Sequence, residues 1–200
     1  METYKLKTAN IIVPGAWNTR IFNPMWLINN LDLDKNSDFN KKIGIGFNFE
    51  ERDVKFDFCG ISMIPTINAL TLQINDNQNF EEKCNLTESV LKKVMLTLPH
   101  TPIKGIGFNF VFEFLSSTTS VFAKNILNKN IFHGDFYLSR NDYKKRESDY
   151  TLTTIGIINN ESPDTLGIIE FNYNYISPSY FKKDNIFCNH YADSMRLING

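Results

Sequence analysis

The residues best spaced for a reaction are His133 and Asp135. Two apart on an extended segment, they point to the same face. There they could act as base and orienter or as two metal ligands. His190, with Cys188 beside it, is the group that could join them in space. The chain has only three histidines, with no HxxxH or HExxH spacing and no second carboxylate in register. The structural alternative is a polar strand position facing water beside Gly134. No metal and no cofactor is expected. An enzyme using His133 and Asp135 is the third of three readings of function, and the chain leans toward being no enzyme.

Thiol chemistry needs a basic neighbour or a helix N-terminus to lower the pKa. Cys84 follows Lys83 and precedes an expected helix start, whereas Cys59 reads as turn or strand filling and Cys188 as helix packing. Three cysteines without CxxC spacing suit reduced thiols in a cytoplasmic protein better than an oxidised scaffold. No GxSxG elbow or GxxxxGK[ST] loop is present, so hydrolase and NTPase readings have no support. Gly44-Ile45-Gly46 and Gly105-Ile106-Gly107 begin like a dinucleotide fingerprint. Phe-Asn-Phe then continues the strand where a helix would have to open, so the glycines read as room for a neighbouring element.

Two surfaces suit binding instead. Arg140, Tyr143, Lys144, Lys145 and Arg146 form the most basic cluster, read here as a hairpin tip that could grip phosphates with Tyr143 stacking on a base. Asp142, Glu147 and Asp149 dilute its field, and the ordinary alternative is a solvated tip. Phe171, Tyr173 and Tyr175 share one strand face, with Asn172 and Asn174 opposite. Tyrosines of this kind either fill a core or anchor a protein interface. Trp17, on the segment after Pro14-Gly15, is likewise a plug or an anchor.

These residues need a scaffold, and composition permits one. Among 200 residues, 42% are apolar, 14% aromatic and 17 are Phe, enough for a large core without staples. The formal charge is −1, from 21 basic and 22 acidic residues, so nucleic-acid contact would need a local patch. The opening residues lack the apolar run of a secretion signal, and no stretch approaches the ~18 apolar residues of a membrane span. A cytoplasmic protein without membrane contact is expected. The Asn, Lys and Ile bias fits an AT-rich bacterial genome.

The periodicities predict a strand over residues 3–13, a short helix capped by Asn23 with Pro24 at its first position, and strands near 43–49, 54–58 and 69–75. A helix opened by an Asn85–Glu88 capping box follows. The second half repeats the order: a strand over Ile106 to Phe114, a helix opened by Ser116 or Ser117, strands near 131–139, 149–158 and 165–176, and a helix near 184–198. The expected fold is α+β, a mainly antiparallel sheet of about eight strands with four helices. It forms a single compact domain over residues 1–200, and the order βαβββα twice suggests a tandem duplication with halves 1–100 and 101–200. That order resembles, at the level of topology alone, the tandem saddle of TATA-binding-protein-like folds, a likeness that carries no function. The hexapeptide GIGFNF, at Gly44 to Phe49 and Gly105 to Phe110, falls in the second strand of one half and the first of the other. The two copies are therefore not equivalent positions.

The leading expectation is a non-catalytic binding or assembly module with a protein partner or self-association, an accessory subunit of a bacterial multi-protein system such as phage defence or toxin-antitoxin. The alternative is a nucleic-acid-binding protein using residues 140–146.

Overall fold

The computed structural model describes residues 3–31, 43–48, 53–127, 140–146, 150–158, 164–176 and 184–199, with backbone alone at residue 48 and residues 140–146. The chain runs β1 (Tyr4–Pro14), a 3-10 turn (Thr19–Ile21), α1 (Pro24–Asn30), β2 (Gly44–Asn48), β3 (Asp53–Phe58), β4 (Ile61–Pro65), β5 (Ala69–Ile74) and α2 (Phe80–Thr97). It continues through β6 (Ile106–Leu115), α3 (Val121–Ile126), β7 (Arg140–Arg146), β8 (Thr151–Ile158), β9 (Thr165–Tyr175) and α4 (Ile186–Asn199). The fold is α+β, with mainly antiparallel strands and four α-helices among the described residues. No described helix is long and apolar enough to cross a membrane.

The chain divides into two compact units. The first comprises Asn10–Ile106 and Ile176–Cys188; the second comprises Met1–Ala9, Gly107–Tyr175 and Asn189–Gly200. The division does not fall at residue 100, because β1 and α4 each contribute to both units.

In the first unit the strand order is β2-β3-β4-β5-β1. Successive pairs place Phe56 opposite Met63, Phe58 opposite Ile61, and Met63 opposite Leu72. These residues make one apolar face, and all five are at most 3% exposed. The strand β4 was not expected: its four buried residues, Ile61, Ser62, Met63 and Pro65, do not alternate, so it lacks the period that marks a half-buried strand. It is joined to β3 by a two-residue turn in which Cys59 (φ 55°) and Gly60 (φ 75°) are both left-handed, the conformation that favours tight hairpins. At the end of β1, a Cβ on Gly15 would stand 2.6 Å from the Pro102 carbonyl oxygen, so only glycine fits there.

The helix α1 starts as its residues dictate: the Asn23 side chain accepts from the Trp26 N–H at 3.0 Å, and Pro24 follows. α2 begins five residues before the expected capping box, with left-handed Asn79 before Phe80. Asn85 and Glu88 therefore lie inside the helix, and Glu88 is buried.

In the second unit the order is β1-β6-β9-β8-β7. The Leu115 N–H donates to the Thr3 carbonyl at 3.0 Å, so the end of β6 meets the start of β1. Phe108, Phe110, Phe112 and Phe114 are all buried, as the alternation requires. α3 starts later than expected, capped by the Ser120 hydroxyl accepting from Ala123 N–H at 3.2 Å. Its Ile126 crosses β8 so closely that a Cβ on Gly156 would lie 2.5 Å from Ile126 Cγ2. Residues 140–146, expected as a hairpin tip, form β7 instead, with Arg140 opposite Ile157 and Arg146 opposite Thr151. The pairing succeeds because β8 offers an alternating strand of matching length.

Candidate functional site

The densest polar and aromatic cluster in the second unit is built where α4 lies over β6 and β9. His190, Ser194 and Ile198 are buried at successive spacings of four, the stripe of a helix packed along one side. His190 is 4% exposed. Its ring stacks on Tyr173 with centroids 4.0 Å apart and planes 18° apart, while Tyr150 meets it edge-on at 4.8 Å. Phe108 closes a further side at 5.6 Å.

The polar tips of this cluster satisfy one another. His190 Nε2 is 2.8 Å from the Tyr175 hydroxyl. The Ser194 hydroxyl donates to the His190 carbonyl at 2.9 Å, which leaves its oxygen to accept from the Tyr173 hydroxyl at 2.9 Å. His190 Nδ1 is buried without a hydrogen-bond partner and stands 3.9 Å from the Asp193 carboxylate. The carboxylate favours a proton on Nδ1, so we assign Nε2 as the acceptor from Tyr175. Burial drives the His190 pKa down to about 4, so the ring is neutral at pH 7. Burial also raises the Tyr173 phenol well above its ordinary range. A neutral histidine accepting from a tyrosine resembles a general-base pair, but its basic nitrogen is already committed. Tyr173 and Tyr175 are themselves at most 6% exposed. The arrangement fixes α4 on the strands.

The residues singled out from the sequence fall in three classes. Tyr173, Tyr175 and Trp17 are buried, so they fill cores and do not stand on a surface; Trp17 Nε1–H donates to the Val13 carbonyl at 2.9 Å. Arg140, Tyr143, Lys144, Lys145 and Arg146 lie on β7, the end strand of the second unit's described ladder, with Arg140, Lys144 and Arg146 at three of four alternate positions and Asp142 at the other. His133 and Asp135 lie outside the described residues. The hint of an activated Cys84 is reversed: burial pushes its thiol up, and Cys59 likewise rises to about 11.

The strand β2 stands where it was expected, but its exposure was not legible in the sequence. Ile45 stands opposite Phe56, so it shares the apolar face of the first unit's ladder, and Phe47 follows two residues on. Yet Ile45 is 61% exposed and Phe47 50%, while Phe56 is 3% exposed. Alternation announced the face, but nothing local could announce that it would stay open.

A second polar knot lies on β3 and β4, where Ser62 Oγ is 2.5 Å from Asp57 Oδ1 and 2.6 Å from Asn75 Oδ1. Hydrogen bonds from Ser62 and Lys55 hold the Asp57 carboxyl below its usual range against a burial that would raise it. Among the described residues no group of three or more His, Cys, Asp or Glu side chains could hold a metal ion. Compared with known proteins, the chain matches no family model, no curated protein and no solved structure.

Proposed function

We propose that the protein is a cytoplasmic, non-catalytic assembly module, an accessory subunit of a bacterial multi-protein system, that receives an extended segment of a protein partner on β2. The observation that carries this reading is the exposure of Ile45 and Phe47 on a face whose residues are core from Phe56 inward along the ladder, with Val54, opposite Phe47, half-buried. β2 is the end strand of the first unit's described ladder. An end strand offers backbone donors and acceptors to an incoming strand, and alternate apolar side chains give that strand a place to bury its own. The inward placement of Tyr173, Tyr175 and Trp17 removes the other aromatic anchors, so the reading rests on β2 alone.

The test is the native mass of the purified protein with whatever co-purifies, at low and high salt. The reading expects a defined complex that survives high salt and dissociates when Ile45 and Phe47 are replaced by Lys. A complex indifferent to Ile45→Lys/Phe47→Lys would rule out this surface.

A second reading, nucleic-acid binding, is favoured by one observation: β7 is an end strand with Arg140, Lys144 and Arg146 at three of four alternate positions, the fourth being Asp142. It expects nucleic acid to be shed as salt rises and to be lost when Arg140, Lys144, Lys145 and Arg146 are neutralised.

A further inference from the structure

In the first unit, one stripe of α2 holds the start of α4. Cys84, Glu88 and Lys92 are spaced one turn apart and so lie on one face of the helix. Lys92 pairs with Asp184, and the Glu88 carboxylate accepts the Phe187 N–H. At the third rung, Cys188 Sγ lies 3.7 Å from the Glu81 carbonyl oxygen and 3.6 Å from Asn85 Oδ1. Glu81 and Asn85 flank Cys84 on its own helical turn, so the Cys188 sulfur rests on the turn that carries Cys84. The two thiols are near enough to interact directly. Cys84 is fully buried and Cys188 half-buried, so Cys188 is the sulfur of the pair that a solute reaches first.

We propose that Cys84 and Cys188 are a dithiol modification site that closes to an intramolecular disulfide when the protein meets a small oxidised disulfide such as oxidised glutathione. In the first step the Cys188 thiolate attacks one sulfur of the small disulfide; the new S–S bond makes a mixed disulfide and one small thiol leaves. In the second, Cys84 gives its proton to solvent and attacks the Cys188 sulfur, expelling the second small thiol. The protein loses two electrons and two protons, and the small disulfide becomes two thiols.

Burial, with the carboxylates of Glu81 and Glu88 nearby, holds the Cys188 thiol above its ordinary pKa. Closure is therefore slow at neutral pH and accelerates about tenfold per pH unit while Cys188 stays protonated. The bond joins the second turn of α2 to the first turn of α4, so it acts as a clamp that forms under sustained oxidation, not as a fast sensor. The dithiol is the resting form wherever thiols are kept reduced.

The test is to hold the folded, reduced full-length protein with excess oxidised glutathione at pH 7.5 and pH 8.5, and to follow its intact mass and peptide map. The expected result is a loss of two hydrogen masses, faster at the higher pH, with a single cross-linked peptide joining Cys84 and Cys188. Cys84→Ser should instead accumulate a glutathione adduct on Cys188, because the resolving thiol is gone. A stable adduct on Cys188 in the unsubstituted protein, a cross-link through Cys59, or no reaction of the folded chain would each overturn the proposal.

Discussion

Gly-Ile-Gly-Phe-Asn-Phe is written twice in this chain, and the two copies end in opposite surroundings. In the first, on β2, Ile45 is 61% and Phe47 50% exposed; in the second, at the start of β6, Ile106 is 2% and Phe108 1% exposed. Identical residues with identical alternation therefore adopt the same strand conformation and part company only in what covers them. β6 lies inside its ladder between β1 and β9, with the His190 layer against Phe108, whereas β2 ends its ladder. Propensity and period live on the sequence link, but burial is settled by neighbours far away in the chain.

The largest effect expected from this contrast is on the buried copy. Phe108→Ala should cost about 3–5 kcal/mol in denaturant unfolding, the range for an aromatic removed from a close-packed core. Equal losses at Phe108→Ala and Phe47→Ala would erase the distinction between the copies.

Next is the cover itself. His190 has a folded pKa near 4 against 6.5 in the unfolded chain, so between those values the unfolded chain binds the extra proton. Stability should be full above pH 6.5, fall as pH drops through that window and level off below about 4, by up to about 3 kcal/mol. Glu88, whose pKa burial raises, works in the opposite sense, gaining as pH falls. The contribution of His190 is therefore read as the difference between the unsubstituted protein and His190→Gln across the same titration. An unchanged pH profile in His190→Gln would place the histidine outside the closed layer.

Glu88 gives the third expectation. Glu88→Ala leaves the buried Phe187 N–H without its acceptor and should cost about 1–3 kcal/mol. Glu88→Gln keeps an acceptor oxygen and should stay near the unsubstituted protein, as thermal unfolding of the two variants would show. The smallest effect is on the open copy: Phe47→Ala should change stability by about 1 kcal/mol or less, because half of the ring is already in water. Any loss of a co-purifying partner in that variant is then separable from unfolding.

Strands with strict alternation were legible in advance: β5, β6, β8 and β9 stand where their periods place them, because one apolar face was being buried in each. α1 was legible to the residue, since Asn23 and Pro24 carry cap and first turn by themselves. β4 was not, because it buries consecutive residues and follows a Cys-Gly turn, which lacks the usual Asn-Gly or Asp-Gly mark of a tight hairpin. The α2 boundary failed because Glu88 looks like a partner for its own cap while in fact it holds the first turn of α4. His190 was not legible because the inward side of α4 carries the polar His190 and Ser194, which a search for apolar periodicity passes over. That Tyr173 and Tyr175 turn inward follows from the closed layer, whose existence depends on a histidine fifteen residues beyond Tyr175.

Trp17 and Trp26, the only two tryptophans of the chain, both fall in the first unit. Trp17 is buried with its indole nitrogen engaged, and Trp26 packs edge-on against Phe22 at 5.1 Å. Intrinsic indole fluorescence is therefore a private signal of that unit, while far-ultraviolet circular dichroism sums over both. Superimposed melting curves from the two would mean that the units unfold as one cooperative body. A fluorescence transition displaced from the dichroism would resolve them into two, with no label added.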